Sequence, residues 1–376
     1  MNFFYVNILL FHFLIKTYSL SIPNIFKWLS SKRVSNKIIE SSVVNEPTPF
    51  EKYSMSWYVV GESNTIKKNK PFKVTVWSKD YVIWKSSDNK YHALEDVCSH
   101  KGSSLSIGSI NNNHITCPYH GYEFDSNGNL TVVPGICFHP SPLHTIPRFS
   151  VVEKYGWIYL NIYQIPWFTT DFQLTELNKN IFLEPETVDK TMSTIFVNTV
   201  FNTYARIVSE NSLDIMHIAY VHTFGNRDKP APSYEDPPKQ LTPYHWKTSY
   251  IYESGEHSMI SKVFNVKKIE IENEFALPHT TIARIKFGKG MVNTIVTSAC
   301  PINEKETKLF VKNYRNFFSS NVFDNMFYNM MIDTLNQDKA VIESIKYKDM
   351  DGKFNMKFDK LQNTYKTLYK KYLHNS

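Results

Sequence analysis

The alternation of apolar and polar positions over residues 57–160 predicts a series of short β-strands. Runs rich in β-branched and aromatic residues are separated by polar, turn-forming stretches at 61–64 and 78–80. The predicted strands are 57–60, 72–77, 81–84, 91–94 and a closing hairpin over 151–160. Asn127, Gly128 and Asn129 predict a further hairpin turn. The first half of the chain is therefore predicted to be all-β.

The second half mixes strand and helix periodicity. Residues 191–203 alternate like a strand, and residues 208–222 have helical spacing. Further strands are predicted at 246–252, 258–264, 269–275, 280–286, 292–300 and 308–314, and helices from about Phe323 onward. An antiparallel sheet around long helices is the α+β pattern. The proline-rich segment 228–243 is predicted to be irregular, as a disordered loop or as a lid over a site.

These patterns divide the chain into a leader and linker over 1–48, an all-β domain over 49–165 and an α+β domain over 166–376. Residues 1–25 are strongly apolar, and residues 30–45 are rich in Ser, Lys and Asn. This order indicates targeting, through the secretory route into a plastid of secondary origin. The alternatives are a membrane-associating amphipathic helix and an artefact of the gene prediction.

Composition narrows the choice of partners. The 376 residues suffice for two domains, and no internal run of eighteen apolar residues predicts a transmembrane helix. The net charge of +7 is modest, and we predict no nucleic-acid partner. Lysines near the two ends form either a solvated helix face or a contact with an acidic electron donor or an anionic membrane surface.

The strongest chemical motif is a set of two cysteines and two histidines. Cys98-x-His100 is followed, after sixteen residues, by Cys117-x-x-His120. Two thiolates and two imidazoles are the ligand set of a Rieske [2Fe–2S] cluster, with Cys on one iron and His on the other. Structural zinc is the competing interpretation, although zinc fingers usually pair Cys with Cys and His with His. The remaining Cys137 and Cys300 are predicted to be buried or free thiols.

A second candidate site is the pattern Asp214-x-x-His217-x-x-x-x-His222. Residues five apart on an ideal α-helix point in different directions, so both histidines reach one metal only if the helix ends or bulges between them. The alternative is a structural histidine pair on a half-buried helix.

The cluster motif and the following residues 120–125, His-Gly-Tyr-Glu-Phe-Asp, resemble the Rieske domain of the Rieske non-haem iron oxygenases. The resemblance implies a helix-grip catalytic domain whose mononuclear iron is held by two histidines and a carboxylate. It identifies His217 and His222 as the histidines and Asp338 as the best carboxylate, with Asp333 and Glu343 as fallbacks.

The resemblance also implies roles for the residues before the histidine pair. Asp214 would bridge to a cluster histidine of a neighbouring subunit and carry electrons across the interface, which implies a homo-oligomer, typically a trimer. Its carboxylate could also accept the ring N–H of His217, or simply contribute charge at a helix N-terminus. Asn211 fits the family pattern Asn-x-x-Asp-x-x-His as a supporting residue; Glu210 is a weaker candidate.

The single-chain plan and the start Trp57-Tyr58-Val59-Val60 resemble the group of pheophorbide a and chlorophyllide a oxygenases, over residues 56–344. This implies that a ferredoxin or reductase supplies electrons through the cluster to Fe(II), which uses O₂ to oxygenate a small hydrophobic ring substrate, in this group a tetrapyrrole. The C-terminus departs from the plant members, which end in Cys-x-x-Cys and a membrane anchor, since no Cys follows Cys300. The alternatives are a sterol oxygenase similar to cholesterol 7-desaturases and a non-catalytic redox sensor or translocon component.

Overall fold

The computed structural model describes residues 57–137, 139, 141–165, 179, 181–253 and 265–373. The predicted leader over 1–48, the start of the linker after residue 165 and the predicted strand 258–264 lie outside the described residues. The targeting segment and the domain boundaries therefore stay predictions.

The first module consists of two antiparallel sheets. Its strands are β1 (Trp57–Glu62), β2 (Phe72–Val76), β3 (Lys79–Lys85), β4 (Tyr91–Glu95), β5 (Ser109–Asn111), β6 (His114–Thr116), β7 (Glu123–Phe124), β8 (Leu130–Val132), β9 (Arg148–Lys154) and β10 (Trp157–Ile165). Six strands form one sheet in the order β1-β10-β9-β4-β3-β2, and β5 to β8 form a second sheet. The predicted turn at Gly128 joins β7 to β8 and uses a positive φ of 83°.

In its described residues, the second module is one antiparallel sheet with four α-helices. Its strands are β11 (Ser193–Phe201), β12 (Tyr234–Glu235), β13 (Lys239–Thr242), β14 (His245–Glu253), β15 (Lys268–Ala276), β16 (Thr280–Lys286), β17 (Val292–Asn303) and β18 (Glu306–Arg315). The order is β11-β18-β17-β16-β15-β14-β12, and β13 also pairs with β14. The helices are α1 (Ala205–Leu213), α2 (Ile218–Val221), α3 (Asp324–Ile342) and α4 (Lys360–Tyr372). The predicted α+β class is confirmed.

Two local predictions differ from the structure. The helical spacing over 208–222 does not produce one helix, because α1 ends at Leu213 and α2 begins only at Ile218. The segment 228–243 is not irregular throughout, since it contributes β12 and β13 to the sheet. Both strands pair with β14 at the edge of the sheet, where prolines nearby do not interrupt a central ladder.

Apolar side chains fix α1 and α3 against one face of the large sheet. Val208 of α1 and Leu335 of α3 pack with Val197, Leu309 and Val311 in one buried cluster. Side chains alternate between the two faces along a strand, so every second residue of the central strands points toward α1 and α3. The candidate metal ligands described below lie on and between these helices.

The two modules share a hydrophobic core. Trp57 and Leu160 of the first module pack in one cluster with Ile282, Val296 and Phe310 of the second. Backbone hydrogen bonds from the β2–β3 turn reinforce this contact. They run from Trp77 N to Pro301 O (2.9 Å) and from Ser78 N to Ile302 O (2.7 Å). Both modules lie within one compact unit, Glu46–Ser376. In the described part of the chain, no helix has the length and apolar character needed to cross a membrane.

Candidate metal centres

The two loops that carry the Cys/His motif have the same backbone structure. In each loop the Cys amide donates to the carbonyl five residues ahead, and the Gly amide four residues ahead donates back to the Cys carbonyl. The bonds are Cys98 N to Ser103 O (2.8 Å) and Gly102 N to Cys98 O (2.9 Å), then Cys117 N to Tyr122 O (2.8 Å) and Gly121 N to Cys117 O (3.0 Å). Both glycines have φ of 73°, the left-handed region that favours glycine.

These loops place the thiols inside and the imidazoles outside. Cys98 and Cys117 are buried, whereas His100 and His120 are exposed with ring centroids 4.7 Å apart. Burial and the adjacent Cys117 thiol raise the pKa of Cys98, although backbone hydrogen bonds from His100 and Lys101 oppose this shift. Two thiols held together in an apolar surrounding favour a cation that compensates their negative charge once they are deprotonated.

Two tyrosines that the sequence analysis did not single out support the outer histidines. Tyr122 stacks on His100 with ring centroids 4.6 Å apart and an interplanar angle of 7°. Tyr119 stacks on His120 at 3.9 Å. Both tyrosines flank the second Cys/His pair in the sequence, so their position beside the motif was the available signal.

The break between α1 and α2 brings His217 and His222 together. Asp214 ends α1 in an extended conformation, with φ of −75° and ψ of 128°. His217 then precedes the single turn of α2, and His222 follows it with ψ of 140°. The helix is broken before His217 and ends again before His222. This meets the condition stated from the sequence, that the helix must end or bulge for both histidines to reach one metal.

The two histidines converge on a carboxylate of α3. The Nε2 atoms of His217 and His222 lie 3.2 Å apart, and each lies 3.4 Å from Asp338 Oδ1. The ligand atoms of the three residues all lie within 4.8 Å of one another. The fallback Asp333 is exposed, and Glu343 instead accepts a hydrogen bond from the Asn202 amide at 2.8 Å. The structure therefore places Asp338, and neither fallback, beside the histidine pair.

The Asp214 carboxylate makes a different contact from one of those predicted. Its Oδ1 accepts from the Met216 amide at 2.7 Å and, more weakly, from the His217 amide at 3.4 Å. His217 Nδ1 has no hydrogen-bond partner among the described residues, so the Asp214 carboxylate does not accept the ring N–H of His217. The carboxylate thus shapes the turn between the two helices, because a short side chain at this position can bond to the amides that follow it.

Charge and burial act differently on the two histidines. Burial opposes the charged form of His217, but the hydrogen bond to Asp338 and the charge of Asp214 outweigh it and raise the pKa of the ring. Burial dominates at His222 and lowers its pKa. His222 is therefore held as neutral imidazole, which is the form that binds a metal ion.

Gln337 orients His222 and was missed by sequence reasoning. Its Oε1 lies 3.1 Å from His222 Nδ1 and also accepts from the Thr223 amide at 3.4 Å. An amide oxygen only accepts, so Nδ1 carries the proton and the lone pair of Nε2 faces Asp338. The only sequence signal was that Gln337 precedes the candidate ligand Asp338.

A small cavity adjoins the triad. Its volume is about 140 Å³, and α1, α3 and the central strands form its walls. Most lining side chains are apolar, among them Phe201, Ile271, Ala283, Ile295 and Leu309, whereas Asn211, Ser212, Asn273, Thr281, Thr297 and Thr334 are polar. The predicted supporting residue Asn211 thus lines the cavity beside the histidines.

A larger cavity of about 550 Å³ lies on the other side of α1 and also includes Asn211 and Asp214. Glu210 lines it and is held by Arg206, whose Nε lies 3.0 Å from Glu210 Oε1. Burial raises the pKa of Glu210 to about 7. Asn211 and Asp214 therefore line both cavities, the one at the triad and the larger one that also contains Glu210.

Comparisons with known proteins agree with this arrangement. The profile of the Rieske [2Fe-2S] domain matches residues 56–145, and the profile of the vanillate O-demethylase oxygenase C-terminal domain matches residues 201–374. The chain belongs to the Rieske oxygenase family. As a Rieske oxygenase it is an oxidoreductase, since its relatives and structural neighbours are Rieske non-haem iron oxygenases.

The chain is 22% identical to methylxanthine N1-demethylase NdmA of Pseudomonas putida, over 81% of the chain and 84% of that enzyme. The crystal structure of dicamba monooxygenase bound to dicamba superposes with a TM-score of 0.70 at 20% identity, over 85% of the chain and 97% of that structure, and shares the fold.

Other relatives match over shorter segments. The chloroplastic chlorophyllide a oxygenase of Oryza sativa subsp. japonica is 28% identical over 35% of the chain and 25% of that enzyme. Cholesterol 7-desaturase nvd 1 of Ciona intestinalis is 25% identical over 52% of the chain and 40% of that enzyme. The chain thus spans less than half the length of these two relatives. The chlorophyllide oxygenase group is one distant match among several rather than the group to which this Rieske oxygenase is assigned.

The side chains present fit both metal groups of the family. Two adjacent buried thiols and two adjacent exposed imidazoles suit a [2Fe–2S] cluster. Two histidines and one carboxylate converging beside a cavity suit iron with positions left open. When bound, the cluster supplies single electrons and the mononuclear iron supplies reactivity with O₂.

Proposed function

We propose that this Rieske oxygenase uses O₂ and electrons from a ferredoxin or reductase to oxygenate a hydrophobic ring substrate. The observation that carries the proposal is the convergence of His217, His222 and Asp338 at the wall of a largely apolar cavity. A metal triad at a structural site would have no need of such a cavity. A non-catalytic redox protein is therefore the less favoured alternative.

The chain's own residues would position the reactants. His217, His222 and Asp338 would hold the iron beside the cavity, and Gln337 keeps His222 in the tautomer that suits a metal ligand. The apolar walls contributed by β15 to β18 exclude water and orient a ring by contact. Asp338 is buried, so its charge acts on the metal with little screening by solvent.

A tetrapyrrole is our first candidate substrate, supported by the similarity to chlorophyllide a oxygenase. A sterol is the second, supported by the similarity to cholesterol 7-desaturase. The cavity of about 140 Å³ is smaller than the roughly 300–1,000 Å³ common for sites that enclose a ligand. Either substrate would therefore present one edge to the iron and leave the rest of the molecule outside this cavity.

Electron transfer would run between subunits of a homo-oligomer. The segment of the chain that carries the exposed cluster histidines also carries exposed apolar side chains, which are Val97, Ile107, Tyr119, Ile136 and Leu143. We propose that this surface docks on the 550 Å³ cavity at Asp214 of a second copy, so that Asp214 bridges to a cluster histidine. Because the two surfaces differ, the contact is head-to-tail and closes into a ring such as a trimer.

Product analysis under controlled reduction tests the proposal. The protein is purified anaerobically, its iron and cluster content are measured, and chlorophyllide, pheophorbide or cholesterol is added with O₂ and a ferredoxin–reductase pair. Mass spectrometry should detect added oxygen or lost hydrogen in one of them. If fully loaded protein with a reducible cluster transforms none, while the triad variant His217→Ala behaves identically, the catalytic proposal is wrong.

The site of action is a separate proposal. The apolar segment followed by a Ser- and Lys-rich stretch over 1–48 supports delivery to a plastid. Weak association of the lysines near the two ends of the chain with an anionic membrane surface is compatible with that location. A fusion of residues 1–48 to a fluorescent protein should accumulate in the organelle, and diffuse cytosolic fluorescence would contradict the targeting role.

A further inference from the structure

Asn273 occupies an unusual position in the cavity beside the triad. It lies in the middle of β15, on the face of the sheet that forms the cavity wall. Its neighbour two residues earlier, Ile271, and its cross-strand partner, Ala283, line the same cavity. Only 3% of Asn273 is exposed. An amide side chain is thus buried among apolar neighbours at the surface that a substrate would touch.

One end of this amide has no partner. Asn273 Nδ2 donates to Leu213 O at 3.4 Å, whereas Asn273 Oδ1 makes no hydrogen bond with any described residue. The Leu213 carbonyl can only accept, so the nitrogen must face it and the oxygen is the end that remains free. Leaving a buried carbonyl oxygen unpaired is unfavourable, and native proteins rarely do so without a reason.

The other polar groups nearby do not satisfy it. Thr281 and Thr297 lie opposite each other on β16 and β17 and bond to each other, with 2.6 Å between their hydroxyl oxygens. Outside the metal triad, Asn273 is the cavity-lining residue, among those the structure describes, that retains a buried polar atom without a partner. Outside the triad, the cavity therefore offers a buried acceptor without a partner in walls that are largely apolar.

We propose that Asn273 Oδ1 accepts a hydrogen bond from the substrate, and that the part of the substrate entering the cavity is a compact ring bearing an N–H or O–H group. This rests on the proposed function, because it assigns the cavity beside the triad to the substrate. An apolar wall cannot distinguish such a ring from its methylated counterpart by more than a small factor, whereas a buried acceptor left unpaired by the wrong ligand can.

The inference narrows the substrate class. An edge of a sterol or macrocycle that carries only C–H groups would leave Asn273 Oδ1 unpaired, as it is without ligand. A ring N–H or a ring hydroxyl would satisfy it and hold the ring at a fixed distance from the triad. Asn273 would then set which ring atom faces the iron.

Matched pairs of small rings test this directly. The probes are indole with 1-methylindole and phenol with anisole, each pair differing in the donor. Their affinities for the full-length, metal-loaded and anaerobically reduced protein are measured by calorimetry without O₂. The donor-bearing ring of at least one pair should bind about fivefold to a hundredfold more tightly than its methylated counterpart. Equal affinity within both pairs, or no binding of any of the four rings, would overturn the proposal.

Two variants locate the effect. Asn273→Leu has similar volume and no acceptor, so the preference for the donor-bearing ring should disappear. Ile285→Leu reshapes the same cavity without polar atoms and should change both members of a pair alike. If Asn273→Leu retains the preference, the acceptor is elsewhere and the proposal is wrong. If this variant does not fold, the wild-type comparison alone still decides.

These measurements are independent of turnover. Loss of all O₂-dependent product with the donor preference intact would refute the proposed oxygenase function but not the role of Asn273. Turnover of a ring together with equal binding of the matched pairs would refute the role of Asn273 but not the oxygenase function.

Discussion

Removal of the Gln337 acceptor should weaken iron binding at the triad without affecting the cluster. Gln337→Leu leaves His222 Nδ1–H with no partner in a residue that is 6% exposed. The Thr223 amide loses the same acceptor, but Thr223 is exposed and water can replace it. The cost therefore falls on the imidazole, which either keeps an unpaired buried N–H or adopts the tautomer that turns its proton toward the metal.

The expected loss of affinity follows from the burial of this group. Leaving a buried donor unpaired costs about 1–3 kcal/mol, and loss of a group that orients a metal-binding histidine commonly weakens binding by about 10- to 100-fold. We therefore expect the dissociation constant for Fe(II) to rise by about 10- to 100-fold, or about 1.4–2.8 kcal/mol. Gln337→Glu keeps an acceptor at the same position and should restore most of the affinity.

Anaerobic titration with Fe(II), or with Co(II) as a visible probe, measures this change. The visible spectrum of the cluster serves as the internal control, because the substituted residue lies on α3 of the other module. Asn336→Leu, an equal change at an exposed neighbouring position, is the matched control and should bind iron normally. Wild-type affinity in Gln337→Leu, or equal losses in Gln337→Leu and Gln337→Glu, would refute the reasoning.

Four further changes have defined outcomes. His217→Ala should abolish mononuclear iron but spare the electron paramagnetic resonance signal of the reduced cluster, and retained iron would refute the ligand assignment. Asp214→Asn should leave both metals bound but stop turnover, so surviving activity would exclude the bridge between subunits. Burial raises the pKa of Glu210 to about 7, so the native state binds this proton more tightly than the unfolded chain. The free energy of unfolding should therefore fall by up to about 3 kcal/mol as pH rises from about 4.5 to 7. Denaturation of Glu210→Gln should lack this component, and an unchanged slope of unfolding free energy against pH would contradict the argument. Gly128→Ala would place a Cβ 2.0 Å from Ile146 O at a φ of 83°, so the melting temperature and cluster content should both fall, and unchanged values would disprove the steric argument.

Close spacing made the histidines and cysteines recognisable from sequence. Cys98 and His100, or His217 and His222, are separated by few residues, so local chemistry indicated the cluster and offered the histidine pair as a second candidate site. Asp338 lies more than a hundred residues from the histidines and came only from the family resemblance. Strand periodicity was equally informative where one face is buried, and the predicted strand 280–286 coincides with β16.

The features that were missed depend on partners distant in the sequence. Gln337 is important because the fold brings it to His222, 115 residues away in the sequence. Asn273 is important because its Oδ1 has no hydrogen-bond partner among the described residues. The helical spacing over 208–222 did not indicate where the helix is broken, because apolar periodicity does not register the extended backbone at Asp214. A short carboxylate that competes for backbone amides was the only local sign of that break.

The core shared by the two modules limits how this enzyme can be re-engineered. Trp57, Leu160, Val296 and Phe310 belong to one buried cluster, and the β2–β3 turn bonds to the end of β17. In a chimera with an electron-transfer module from another protein, the apolar side chains of the two modules would no longer pack against each other. The transferred segment should therefore include the β17–β18 hairpin, so that both sides of the shared core come from the same parent.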